Sequence, residues 1–182
     1  MSNTTILRIT KDDIYYEEEL GNSHGFASLI WTVLCKKHFG LRSWVYLSEG
    51  EGIKMLWDLA KDTSIPVCDR VCLYLTFDGA YVERDKLEWA ADHIDSFLDV
   101  NAIDEKYVNH LPEVAKLYRL YYAESGDDLV GIGIHQTSCG DSSYHKYEEV
   151  KFLDDAGVEH SEQEKVPDWD RIYGIYDKFT SV

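Results

Sequence analysis

The stretch that decides the fold runs from Thr4 to Gly40: TTILRITKDDIYYEEELGNSHGFASLIWTVLCKKHFG. Residues 4–9 and 14–20 are rich in Ile, Thr and Tyr and are separated by the polar Lys11-Asp12-Asp13, a pattern that predicts a β-hairpin. The period then changes. Phe26, Leu29, Ile30, Val33 and Leu34 recur at helical spacing, with Trp31 and Cys35 beside them. Ser23 is expected to cap this helix by accepting a first-turn amide, and Gly40 to stop it after Phe39. Lys36, Lys37 and His38 suit the negative end of the helix dipole. A helix this apolar belongs inside a core rather than on a surface.

Working outward, Ile53, Leu56, Trp57 and Ala60 predict a second helix over 51–61. Pro66 opens a third element over 67–77. Val67, Val71, Leu75 and the Cys68/Cys72 pair fit a helix, which is the preferred reading, although 71–77 also suits a buried strand. Ala80-Tyr81-Val82 reads as a short extended link. A helix over 84–98 places Leu87, Ala91, Ile94 and Leu98 on one face, and another follows around 112–124 with Val114, Leu117, Tyr118 and Tyr121 inward. After Gly126 strands return. Residues 129–135 carry two glycines that suggest a bulge or a close backbone approach. Tyr147 to Leu153 reads as a strand, 154–168 as a polar acidic segment, and Arg171 to Phe179 as a last strand. The order strand–strand, helices, strands predicts one α+β domain over 1–182. About five helices would pack on a small, mostly antiparallel sheet made by the N-terminal hairpin and the C-terminal strands.

Charge is the second signal. The 182 residues hold 34 acidic against 18 basic side chains, a net charge of −16, together with five Trp, thirteen Tyr and six Phe. A chain with 45% hydrophobic residues is not a disordered acidic tract. Its negative potential argues against direct nucleic-acid binding, which needs clustered Lys and Arg. The polar start and the lack of a long apolar run argue against a secretory signal or a membrane span, so cytoplasm is the expected compartment. In that compartment Cys35, Cys68, Cys72 and Cys139 are expected as reduced thiols.

No complete catalytic, nucleotide or metal signature is present, and no cofactor is expected. Two segments are candidates for chemistry. Gly21-Asn22-Ser23-His24-Gly25 joins a strand to a helix start, so its amides can bind an anion while Asn22, Ser23 and His24 offer a donor, a nucleophile and a base. His135 to Asp141 follows a strand, and Cys139 there becomes a nucleophile only where His135 or His24 lies beside it. The simpler readings are a helix cap and a polar loop. Cys68 and Cys72 lack a second pair of ligands, so zinc is not expected. Asp127-Asp128 and Asp154-Asp155 lack the spaced oxygens of a calcium loop.

Residues 141–170 concentrate ten carboxylates against Lys146, Lys151 and Lys165. Acids with aromatic anchors suit a basic protein partner, because charge speeds the encounter and rings supply contact area. Asp141, Tyr144, Tyr147, Glu148, Glu149, Asp154, Asp155 and Trp169 are the expected contact residues. An interaction protein of the immunity type, or an inhibitor of a nucleic-acid-handling enzyme, fits this pattern. The alternative is a small hydrolase or transferase whose site gathers Asn22, Ser23, His24, His135 and Cys139.

Overall fold

The computed structural model describes residues 3–47, 51–103, 110–124, 126–136 and 144–180. Its body is a five-stranded sheet in the order β2-β1-β4-β3-β7, built from β1 (Asn3–Thr10), β2 (Ile14–Asn22), β3 (Ala80–Glu83), β4 (Leu129–Gln136) and β7 (Tyr173–Gly174). All neighbours are antiparallel except β3 and β7. Strands β5 (His145–Leu153) and β6 (Glu159–Pro167) form a separate two-stranded ribbon. Six helices accompany them among the described residues: α1 (Ala27–Phe39), α2 (Glu51–Lys61), α3 (Val67–Tyr74), α4 (Leu87–Val100), α5 (Leu111–Glu124) and the short α6 (Asp177–Thr180). None of the helices in the described residues is long and apolar enough to cross a membrane.

The hairpin expected from residues 4–20 forms. Its turn is held by Thr10, whose hydroxyl donates to the Asp13 carbonyl at 2.9 Å and accepts the Asp13 amide at 3.1 Å. Alternation along β1 and β4 splits the interior in two. Ile6, Ile132 and Ile134 face the helices and join Ile30, Leu34, Val71, Ile94 and Tyr118 in the main core. Leu7 and Ile9 point the other way and pack with Ile14 and Tyr144. Gly40 ends α1 at φ 68, a backbone angle that suits glycine, and returns its amide to the Cys35 carbonyl.

Several local expectations need correction. Helix α1 begins at Ala27, after a 3-10 turn over Ser23–Gly25, and Phe26 stands at its N-cap without a side-chain bond. The side chain of Ser23 lies outside the described set. Residues 80–83 are no link but a strand inside the sheet, because Tyr81 and Val82 pair with Gly133 and Ile132. The acidic segment after 154 contains β6, and β5 pairs with it rather than joining the main sheet. The last strand shrinks to Tyr173–Gly174. Beyond Ile175 the chain turns, since both carboxylate oxygens of Glu83 accept the Tyr176 amide at 3.2 Å.

The helix layer also buries charge. Asp69 on α3 is fully buried and meets Lys37 Nζ and His38 Nε2, each at 2.8 Å, at the C-terminal turn of α1. Arg70 beside it is buried as well, donating to the Ala60 carbonyl at 2.8 Å.

Candidate functional site

The β5–β6 ribbon stands outside the main sheet, and its burial falls from root to tip: from Lys151 to Lys165 every residue is exposed. The root is anchored by aromatic and polar contacts. Lys165 Nζ donates to the Tyr16 hydroxyl at 3.1 Å and lies 5.0 Å from that ring's centre. His145 stacks on the same ring, centroid to centroid 6.1 Å. At the tip, Asp154 Oδ1 accepts the amides of Ala156 and Val158 at 2.9 Å, and its other oxygen meets His160 Nε2 at 2.9 Å. That histidine contact, more than the amides, holds the Asp154 carboxyl below its ordinary range.

Tyr144, expected at the contact surface, is instead fully buried at the ribbon's base. Its ring lies over Gly133: a Cβ added there would sit 2.8 Å from Tyr144 Cε1 and 3.0 Å from the hydroxyl. The hydroxyl donates to the Ala80 carbonyl and accepts the Ile134 amide at 3.3 Å, so the ring is wedged between β3 and β4. Burial pushes this phenol far up, and it stays protonated as a donor. Tyr144 is an anchor and contributes nothing to an exposed face. The two glycines of β4 are thereby explained as close approaches, since a Cβ on Gly131 would run into the Val82 carbonyl.

The remaining contact candidates are exposed: Tyr147 at 67%, Trp169 at 44%, and Glu148, Glu149, Asp154 and Asp155. Asp141 lies outside the described residues. The register sorts the ribbon into two faces. Lys146, Glu148, Val150 and Phe152 share one face with Val166, Glu164, Glu162 and His160 opposite them; Tyr147, Glu149, Lys151 and Leu153 share the other with Lys165, Gln163, Ser161 and Glu159. Glu148 thus stands directly across from Glu164, a like-charge pair that disfavours the hairpin. Lys146 meets Glu148 at 2.9 Å, whereas Glu162 and Glu164 engage no cation among the described residues. Leu153 at 68% and Phe152 at 45% exposure add apolar area toward the tip.

The residues of the alternative site are only partly brought together. Asn22 ends β2 and pairs with Asn3, while Gln136 ends β4 and pairs with Thr4, so these two strand ends lie at the same end of the sheet with β1 between them. Asn22 Oδ1 accepts the His24 amide at 3.0 Å, and the Asn22 carbonyl meets His110 Nε2 at 2.7 Å. His24 is exposed, and His135 is buried on the opposite side of the sheet from the helices, its ring edge-on to Tyr144 at 6.4 Å. Burial pulls the His135 imidazole below its ordinary value, with Asp78 opposing and Lys165 assisting that shift. His24 and His135 share no hydrogen bond or ring contact, and Cys139 lies outside the described residues. His110, missed by the sequence reading, is the histidine that clasps the 22–25 turn, its amide donating to the Gly25 carbonyl at 3.0 Å.

Among the described residues no group of three or more His, Cys, Asp or Glu side chains is placed to hold a metal ion. Cys35, Cys68 and Cys72 are buried free thiols. Burial raises the Cys35 thiol to about 11 and pushes Cys72 well above its ordinary value, which disfavours the thiolate a nucleophile or ligand needs. Set against protein-family models, curated proteins and solved structures, the chain finds no match.

Proposed function

We propose that the chain is a cytoplasmic interaction protein that engages a basic protein through the β5–β6 ribbon and occludes it, in the manner of an immunity protein or of an inhibitor of a nucleic-acid-handling enzyme. The observation that carries this reading is the ribbon itself. It holds seven carboxylates against three lysines, exposes both faces along its outer half, and is fixed at its root by a buried tyrosine. Carboxylates on such a projection accelerate encounter with a positive surface, and Tyr147, Phe152, Leu153 and Trp169 supply the apolar area that holds it. The overall charge of −16 keeps nucleic acid itself from binding.

The test is a comparison of the wild-type chain with the variant Glu148→Lys, Glu162→Lys, Glu164→Lys as baits in extracts of the native host, read by mass spectrometry at low and high salt. These side chains are exposed, so circular dichroism should be unchanged. The expected result is a set of basic proteins retained by the wild type, lost by the variant, and weakened by salt. Retention of the same proteins by both baits would sink the proposal. The alternative, a hydrolase or transferase at the 21–25 turn and the 135–141 loop, draws on one fact, the shared sheet end of Asn22 and Gln136.

A further inference from the structure

Two histidines meet at the root of the ribbon, where it joins the main sheet. His135 of β4 is 6% exposed on the face away from the helices, with its ring edge-on to Tyr144, the residue that leads into β5. Its Nδ1 is buried and has no hydrogen-bond partner. His145, the first residue of β5, is half-buried; it stacks on the Tyr16 ring of β2 and bonds to the Ile14 backbone. Lys165 of β6 serves both, since its amine lies 5.0 Å from the Tyr16 ring centre and its charge disfavours a proton on either imidazole. Two carboxylates oppose it. Asp78, exposed ahead of β3, acts on His135, and Asp13 of the hairpin turn acts on His145 while its Oδ1 accepts the Ile14 amide. Glu19, on the β2 row beyond Thr5, is bonded to Asn3. Burial is the largest influence on both rings and outweighs the carboxylates, so each imidazole is held below its ordinary value.

From this cluster we infer that the root of the ribbon is a proton-operated latch: neutral imidazoles at His135 and His145 hold β5–β6 against the sheet, and their protonation lets the ribbon go. In the cation both ring nitrogens are donors, and the buried Nδ1–H of His135 then has no acceptor. A charged His145 in turn faces Lys165 and His135. Release exposes both rings to water and removes these costs, so it takes up protons. The sign follows: the latch holds fully above the ordinary histidine value of about 6.5 and weakens as pH falls through it. The Tyr144 ring, edge-on to His135, is the part of the anchor that the new charge disturbs. A regulated use of the ribbon in partner capture rests on the contact proposed above, whereas release itself involves no partner.

The test is amide hydrogen exchange on the full chain alone, at about pH 7.5 and about pH 5.5, corrected for intrinsic rates, with the histidine ring signals followed by NMR over the same range. The expected result is a loss of protection in β5 and β6 of as much as about tenfold for each histidine, while β1 and α4 keep theirs. His145→Phe keeps a ring to stack on Tyr16 without a titrating nitrogen, and should halve that loss on a logarithmic scale. Adding His135→Gln should flatten it. Where the double variant folds poorly, His145→Phe and the wild-type ring titrations still decide. The inference fails if ribbon protection in the wild type is the same at both pH values, or if either imidazole titrates at or above its ordinary value. It fails also if β1 and α4 lose protection in step with the ribbon, which is global unfolding. Capture from extracts plays no part in this readout, so failure of the latch and failure of the partner contact are told apart.

Discussion

The wedge of Tyr144 against Gly133 makes a quantitative claim that a double-mutant cycle can test. Gly133→Ala places a methyl 2.8 Å from Tyr144 Cε1, and the ring cannot retreat because its hydroxyl is held by Ala80 and Ile134. Overpacking of this kind costs about 1–3 kcal/mol. Tyr144→Ala removes a fully buried ring and should cost about 3–5 kcal/mol. In the double variant the methyl added at position 133 meets no ring and fills part of the void, so the loss should fall short of the sum by about 1–2 kcal/mol. Tyr144→Phe isolates the hydroxyl: it leaves the Ala80 carbonyl and the Ile134 amide without that partner, at about 1–3 kcal/mol. The assay is equilibrium urea unfolding at fixed pH, with tryptophan fluorescence and far-UV circular dichroism as paired probes. Additivity of the two single changes within about 0.5 kcal/mol would refute the wedge.

Two further outcomes follow from one buried and one half-buried carboxylate. Asp69→Ala strips the shared partner from Lys37 and His38 and should destabilise by about 3 kcal/mol, the low end for a broken buried pair because Lys37 still reaches water; urea unfolding measures it. Glu83 is raised chiefly by burial, so the folded state keeps its proton to higher pH than the unfolded chain. Stability therefore declines as pH rises from the unfolded carboxyl value through the folded one. Glu83→Gln keeps an oxygen for the Tyr176 amide and should flatten that decline, with Tm at pH 7 no lower than wild type; a variant that melts well below wild type at pH 7 would contradict it.

The sequence reveals those parts of the fold whose pattern is local. The hairpin, the apolar helix ended by Gly40, and the strand with two glycines each carry a period or a stop signal that needs no tertiary partner. What escapes the sequence depends on contacts from far away. Tyr144 sits among Ser142, Ser143, His145 and Lys146, a polar setting that reads as exposed; only the missing Cβ of Gly133, eleven positions earlier, opens the slot that buries it. Strand β6 shows no apolar alternation because both of its faces meet water, so period-two reasoning has nothing to detect. Arg171 to Phe179 does alternate, yet Glu83 captures the Tyr176 amide and bends the chain away from the sheet. Asp69 and Arg70 look like a solvated pair in sequence and are buried by the convergence of α1, α2 and α3. At the candidate site, exposure of Tyr147, Glu148 and Glu149 follows from the acidity of the segment, but nothing local marks His135 as buried against Tyr144.

The acidic residues divide by what the fold asks of them. Asp13, Asp69, Glu83 and Asp154 each accept backbone or cationic donors that close a turn, join helices or hold the C-terminal segment. Arg119 ties Asp92 and Asp95 of α4 to α5, both contacts at 2.7 Å. Among the described residues, Glu149, Glu162 and Glu164 do none of this. A lone two-stranded hairpin is marginal in water, and opposing Glu148 to Glu164 weakens it further. Its persistence draws on the body, through Tyr144 in the sheet and Lys165 with His145 on Tyr16. Carboxylates that strain the element bearing them, on a strand pair whose anchor lies elsewhere, are not explained by the needs of folding, and the proposed basic partner would give them a use.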